Sequence, residues 1–403
     1  MTTRQHNKED VIIMKYFGFD SKYLEKINGL ATAIEIHQQP ELWSETLEIF
    51  KDKKSELEEF LKPLLIKENL RIIFTGAGTS AYVGESIVPS LRKNSDLRFE
   101  AIGTTDIVAK PLEYLKKNQP TLLISCARSG NSPESVAAVD IVEKVVDEFY
   151  HIALTCNPEG KLVQNAKGHD NEKIILMPEK SNDKGFAMTG SFTCMMLSGL
   201  LLFENDFDKA AKEIEKTVKL GHIICDEKHE AVKKLTEKDL TNAVYLGAGS
   251  YFGLARESCL KILELTGGSI TTLYETPLGF RHGPKSIVND KSMILMYLSN
   301  DEYSRQYEID LLKELSAEEG NQQIVGISND NDKSINGICD TYLNLDADRY
   351  EVRDSFKMLN YILYAQMFSF MQSEKLGFGP DNPCPTGEVN RVVQGVIIHD
   401  YQN

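Results

Sequence analysis

Apolar positions along this chain recur with two different spacings, and the change from one to the other marks its segments. Near the start, Tyr23, Ile27 and Leu30 stand at helical intervals, with the only tryptophan, Trp43, a little further on; residues 1 to 47 therefore read as a helical appendage. Beyond it, "LRIIFTGAGTSAYVGES" is a short continuous apolar run, a Gly/Ser/Thr turn and the start of a helix. The same order returns in "AVYLGAGSYFGLARES" from Ala243, and the shared glycines Gly76 and Gly247 lie 247 − 76 = 171 residues apart. The next apolar runs keep nearly that step: "TLLIS" from Thr121 matches "SMILM" from Ser292, and "HIALTCN" from His151 matches "QIVGISN" from Gln323. A whole domain has been duplicated. Uninterrupted apolar strands alternating with helices predict parallel sheets covered on both faces, so the fold class is α/β with two doubly wound domains. The expected boundaries are an N-terminal segment over 1–47, one domain over 48–212, a second over 213–375, and a tail over 376–403 that closes over a site.

One stretch needs separate treatment. Residues 185–203, "GFAMTGSFTCMMLSGLLLF", carry no charge and approach membrane-spanning length, but Gly185, Gly190 and Gly199 with several hydroxyls favour a buried helix. Composition then narrows the function. Hydrophobic residues at 41 % and charged residues at 26 % are those of a globular protein, which excludes a disordered or fibrous class. A net charge of −15, with no basic block, argues against a nucleic-acid partner. Seven scattered cysteines without a C-x-x-C pair predict neither a disulfide framework nor a zinc site, and "MTTRQHNKED" has no apolar core of signal-peptide type; cytoplasmic location, away from membranes, is the expectation.

Candidate chemistry lies in the turns after the strands, where doubly wound sheets bind ligands. In "ARSGNSPES" glycine frees the backbone at Gly130, Ser129, Asn131 and Ser132 offer polar groups, Arg128 adds a charge, and Pro133 suits a first helical turn. That set fits a phosphate. A plain helix cap at Ser132 accounts for part of the same pattern. "TGAGTSA" also matches a dinucleotide fingerprint, with Glu100 as a ribose acid, but the duplicate turn has no comparable acid after it, so a dehydrogenase is a minor alternative.

The helix after the second turn raises a different possibility. Ala255, Ser258, Ile262 and Leu265 form a core-facing stripe, while Glu257, Lys261 and Glu264 share another face at i, i+4 and i+7. Taken alone, the three charges read as an exposed salt-bridged face. Beside "YETPLGFRHGPKS", with His282, they also supply what an aldose/ketose proton transfer requires: an imidazole titrating near neutrality, a carboxylate to carry a proton between two carbons, and an ammonium to stabilise an enolate oxygen.

Taken together, "GAGTS", "SGNS", the second "GAGS", "ESCLKILELTGG" and "FRHGP" resemble tandem sugar-isomerase (SIS) domains related to the isomerase half of glucosamine-6-phosphate synthase. The resemblance covers nearly all of the chain after residue 47. "ARSGNSPES" and the tail "GPDNPCPTGEVNRVVQGV" are closer to the tagatose-6-phosphate ketose/aldose isomerase group, also described as galactosamine-6-phosphate deaminases. It implies substrate contacts at Thr79, Ser80, Arg128, Ser129, Asn131 and Ser132, a proton-shuttling base at Glu264 with Lys261 beside it, and ring opening by His282 reaching across a homodimer or larger homo-oligomer. No metal or organic cofactor is implied. Ala127 and Arg128 stand where the synthases carry serine and glutamine, Gly190 replaces a lysine, and no lysine follows Lys375, so the anion grip differs and Asn390 or Arg391 of the tail becomes a candidate contact. With no glutaminase domain ahead of the repeat, the expected reaction is deamination of galactosamine 6-phosphate to tagatose 6-phosphate and ammonia. Plain sugar-phosphate isomerisation and a non-catalytic sugar-phosphate regulator are the alternatives.

Overall fold

The computed structural model describes residues 14–166, 169–393 and 395–402, so the first thirteen positions of the expected N-terminal segment lie outside it. Two five-stranded parallel sheets form its centre. The first contains β3 (Arg71–Thr75), β4 (Arg98–Ala101), β5 (Thr121–Ala127), β6 (Phe149–Thr155) and β7 (Glu172–Leu176); a two-residue hairpin pair, β1 (Lys15–Tyr16) and β2 (Phe19–Asp20), precedes it. The second contains β8 (Asn242–Leu246), β9 (Thr271–Glu275), β10 (Ser292–Tyr297), β11 (Gln323–Ile327) and β12 (Thr341–Leu343). Spatial order is β4-β3-β5-β6-β7 in one and β9-β8-β10-β11-β12 in the other, the same path traced twice. Strands β3, β5, β8 and β10 are buried throughout, which is why they read as unbroken apolar runs instead of alternating ones.

The two halves meet through equivalent helices. Thr79–Lys93 follows β3 and Ser250–Leu265 follows β8, and the two pack antiparallel, with Arg256 pairing Glu85 at 2.6 Å near one end and Lys261 reaching Thr79 at the other. Close approach depends on Gly253, where a Cβ would come within 2.5 Å of the Ser86 nitrogen. This pairing sets the carboxyl edge of the first sheet beside the second half's helix. Behind it, Asp354–Lys375 is buried along nearly its whole length, its polar residues such as Asn360 and Gln366 included.

The described part of the N-terminal segment is mostly helical, as expected, but begins with the hairpin. Phe17 and Gly18 both adopt positive φ (54° and 84°), the backbone of a two-residue type I′ turn. Helices Ser21–Lys26, Leu30–His37 and Gln39–Leu65 follow, the last running straight through position 47. Trp43 is fully buried, donates its indole N–H to Thr193 at 3.0 Å, and lies where Gly221 leaves room for its ring. Of the uncharged run, Gly190–Leu201 is helical and buried at every position, while 185–189 is a loop. No helix among the described residues is long and apolar enough to cross a membrane.

Candidate active site

Both glycine-rich turns have the same backbone. Gly78 and Gly249, each preceding its helix, sit at φ 57° with ψ of −131° and −121°, a conformation that L side chains rarely adopt. Their surroundings differ. At the first turn, Thr79, Ser80, Arg128, Ser129 and Ser132 line a cavity of about 230 Å³, and Glu264 from the second half faces the same space. Ser132 is the N-cap residue of Pro133–Val145, yet its side chain makes no capping bond, so the hydroxyl is left for the cavity. Asn131 turns away: its Oδ1 accepts the Lys161 N–H at 3.0 Å, and the residue is not part of the lining.

At the second turn the corresponding positions are already occupied. Counting 171 residues on from Arg128 and Ser129 gives Ser299 and Asn300, and here Asp354 accepts from the Ser299 hydroxyl at 2.7 Å, the Asn300 N–H at 2.9 Å and the Tyr251 hydroxyl at 3.1 Å. The chain's own carboxylate thus takes the place an anion would take. Asp354→Ala should lower stability by about 2–3 kcal/mol, because donors bonded to a charged acceptor lose it; chemical denaturation would measure this, and an unchanged midpoint would refute the bracing role.

Arg128 is buried, and its guanidinium donates to the Arg391 carbonyl at 2.7 Å and toward the Phe186 carbonyl at 3.5 Å. Both of these bonds end on backbone carbonyls, not on a carboxylate. Burial, with the Arg391 guanidinium close by, holds its pKa below the usual arginine value. Arg391 in turn donates to the Asp183 carbonyl. Two guanidinium groups, Arg128 and Arg391, thus line a cavity rich in hydroxyls together with the carboxylates of Glu134 and Glu264, and guanidinium beside hydroxyls is a donor set that suits a phosphate. Asn390 also lines the cavity, but its amide donates to Gly387 O at 2.8 Å.

The three charges on the second half's helix are not solvated. Glu257 and Lys261 are fully buried, and Lys261 Nζ lies 2.7 Å from Glu264, 3.2 Å from Glu257 and 3.1 Å from Thr79 Oγ1. Burial pushes the Glu257 carboxyl up to about 7 against the pull of Lys261, with the Glu264 charge adding to the rise. Burial also weighs against the Lys261 ammonium, but the two carboxylates outweigh it and hold the pKa above its usual value. A salt-bridged surface does not describe this face. Sequence reasoning noted Glu257 but gave it no role; only its burial distinguishes it from a solvated acid.

His282 is exposed on the turn after β9 and does not line its own chain's cavity; the turn is fixed by Arg281 and Lys285 on Glu314 at 2.7 and 2.5 Å. Glu100, the alternative ribose acid, is bound by Arg71 and Arg98. Among the described residues no group of three or more His, Cys, Asp or Glu could hold a metal ion.

Comparison with known proteins yields consistent relatives. A SIS domain model matches residues 64–205. The D-galactosamine-6-phosphate deaminase AgaS of Escherichia coli is 42 % identical over 376 residues, covering 93 % of this chain and 97 % of that protein. The AgaS of Shewanella sp. ANA-3 is 38 % identical, covering 94 % and 95 %. The crystal structure of tagatose-6-phosphate ketose/aldose isomerase from Escherichia coli superposes with a TM-score of 0.84 at 39 % identity, covering 93 % of this chain and 98 % of that one.

Proposed function

The chain belongs to the family of the AgaS D-galactosamine-6-phosphate deaminases, SIS-domain proteins, and from that premise we propose that it converts galactosamine 6-phosphate to tagatose 6-phosphate and ammonia at the cavity between its two halves. The observation that carries this reading is the convergence of two kinds of chemistry in one space: hydroxyls and a guanidinium held by carbonyls from the first half, and a carboxylate with its ammonium from the second.

Each residue then has a definite task. Ser80, Ser129 and Ser132 donate hydroxyl hydrogens to the phosphate, and Arg128 balances its charge. Thr79 accepts from Lys261 and so orients the ammonium instead of touching the phosphate. His282, exposed in its own chain, is assigned ring opening in a second copy's cavity; this part of the reading requires a homo-oligomer. The open-chain aldehyde loses its C2 proton to Glu264, and the electron pair moves to O1, where the Lys261 ammonium stabilises the developing charge. O1 takes a proton to give the enolaminol, Glu264 returns its proton to C1, and the nitrogen gives one up as its lone pair forms the ketimine at C2. One water adds to that carbon, and one ammonia leaves.

Plain isomerisation is the second reading, favoured by the activity for which the Escherichia coli crystal structure is named. Proton transfer between C2 and C1 is common to both, so the same residues serve either. A screen of purified protein against hexosamine 6-phosphates, following ammonia, separates them: galactosamine 6-phosphate should release one equivalent per turnover. Interconversion of tagatose 6-phosphate with its aldose, without ammonia release from any hexosamine phosphate, would replace the first reading by the second.

A further inference from the structure

No residue of the N-terminal helices lines the cavity, yet one of their carboxylates holds a loop that does. Glu35, on Leu30–His37, is 5 % exposed. Its oxygens accept the Lys184 N–H and, at 3.1–3.2 Å, the Gly185 N–H. The next residues of that loop face the cavity: Phe186 and Met188 both line it. Three components of the anion grip rest on the same loop. The Phe186 carbonyl receives Arg128, the Asp183 carbonyl receives Arg391, and Met188 Sδ lies 3.8 Å from the Ser80 hydroxyl.

The fit between loop and helix is close. A Cβ on Gly185 would come within 2.7 Å of Thr32 Oγ1 and 2.9 Å of Glu35 Oε2, so the loop lies flat against the helix only because no side chain intervenes. The other side of the loop is tied independently, by the Asp183 carboxylate accepting the N–H groups of Thr189, Gly190 and Ser191 at 2.9–3.1 Å. The tail joins the same helix from outside, since Asp381 accepts the Thr32 N–H and hydroxyl, each at 2.7 Å, before the chain returns at Arg391.

We infer that Glu35 is a positioning residue for the sugar-phosphate cavity, fixing the 183–188 loop so that its carbonyls hold Arg128 and Arg391 where a phosphate needs them. The helical appendage is then part of the substrate grip. Burial, with the Asp183 charge next in effect and Asp381 also contributing, pushes the Glu35 carboxyl up to about 8 despite the two backbone N–H groups. Glutamine keeps the length of this side chain and an oxygen able to accept both N–H groups, as Glu35 Oε1 does.

This inference rests on the phosphate end of the proposed function, so inorganic-phosphate binding is measured beside turnover of galactosamine 6-phosphate at pH 7. Glu35→Ala should weaken phosphate binding and raise KM by about tenfold with kcat within about threefold, the split expected when grip is lost and chemistry kept. Glu35→Gln should stay within about threefold of wild type on both. Gly185→Ala, which lifts the loop from the helix without altering Glu35, should repeat the alanine phenotype and decides the matter if Glu35→Ala does not fold. Unchanged phosphate binding and KM in the alanine variants, or Glu35→Gln as impaired as Glu35→Ala, would overturn the inference. A wild type that binds phosphate but leaves the sugar untouched would overturn the activity alone; one that binds no phosphate would overturn both.

Discussion

Glu264→Gln is expected to cut ammonia release from galactosamine 6-phosphate by about 10²–10⁴-fold, the range that a positioned general base contributes, while changing KM by less than about threefold. The asymmetry follows from where the carboxylate sits. Glu264 comes from the second half and is not one of the first-sheet groups assigned to the phosphate, so glutamine leaves those groups in place and removes the proton acceptor. Lys261, 2.7 Å from one Glu264 oxygen, can still donate to the amide oxygen, so the ammonium has no reason to move. Residual activity should not recover at higher pH, since an amide acquires no basic form. Deuterium exchange at C2 isolates the step: in solvent D₂O the wild type should wash out the C2 hydrogen and the variant should not. Equal washout rates would remove Glu264 from the role of base and direct attention to Glu257, the next carboxylate along the same helix.

How much of this was legible beforehand depends on the distance over which each signal acts. The duplicated strands were readable because full burial writes itself into sequence as unbroken apolar runs, and "RIIFT" with "NAVYL" align through Gly76 and Gly247. The shared cavity was legible only through resemblance, since nothing local says that the helix bearing Lys261 packs antiparallel on the one bearing Thr79. Polar residues were the least readable. Asn131 and Ser132 are neighbours of similar chemistry, yet one is consumed by the Lys161 N–H and the other is free for the cavity. Glu35, Asp183 and Asp354 carry no local mark in the sequence; each accepts several hydrogen bonds because of partners 6 to 150 positions away. Phe17–Gly18 escaped notice for another reason: a two-residue turn with positive φ at phenylalanine lacks the usual Asn-Gly signature.

Lys261→Met should impair both stability and activity, and the two losses should be separable. The ammonium lies between two carboxylates, and Glu257 is fully buried with no hydrogen-bond partner for either oxygen beyond its ion pair with Lys261 at 3.2 Å. Methionine fits the volume but leaves Glu257 without a counter-charge, a loss of about 3–5 kcal/mol for a broken buried pair. The pH dependence follows from the direction of the shift. Glu257 already titrates near 7 when folded, above its ordinary 4.5, so its contribution is fully favourable below about 4.5 and is lost as pH rises toward 7. Without Lys261 the carboxyl rises further, and the loss should extend past neutrality: the variant should be measurably more stable at pH 5 than at pH 8, by a wider margin than wild type. Adding Glu257→Gln removes the stranded charge and should recover most of the stability. It should not recover turnover, because no ammonium remains to hold the enolate oxygen, an effect of about 10²–10³-fold for a lost transition-state donor. Chemical denaturation at the two pH values beside ammonia release tests both halves; a single variant as stable as wild type at pH 8 would mean that Lys261 is not what makes the buried carboxylate tolerable.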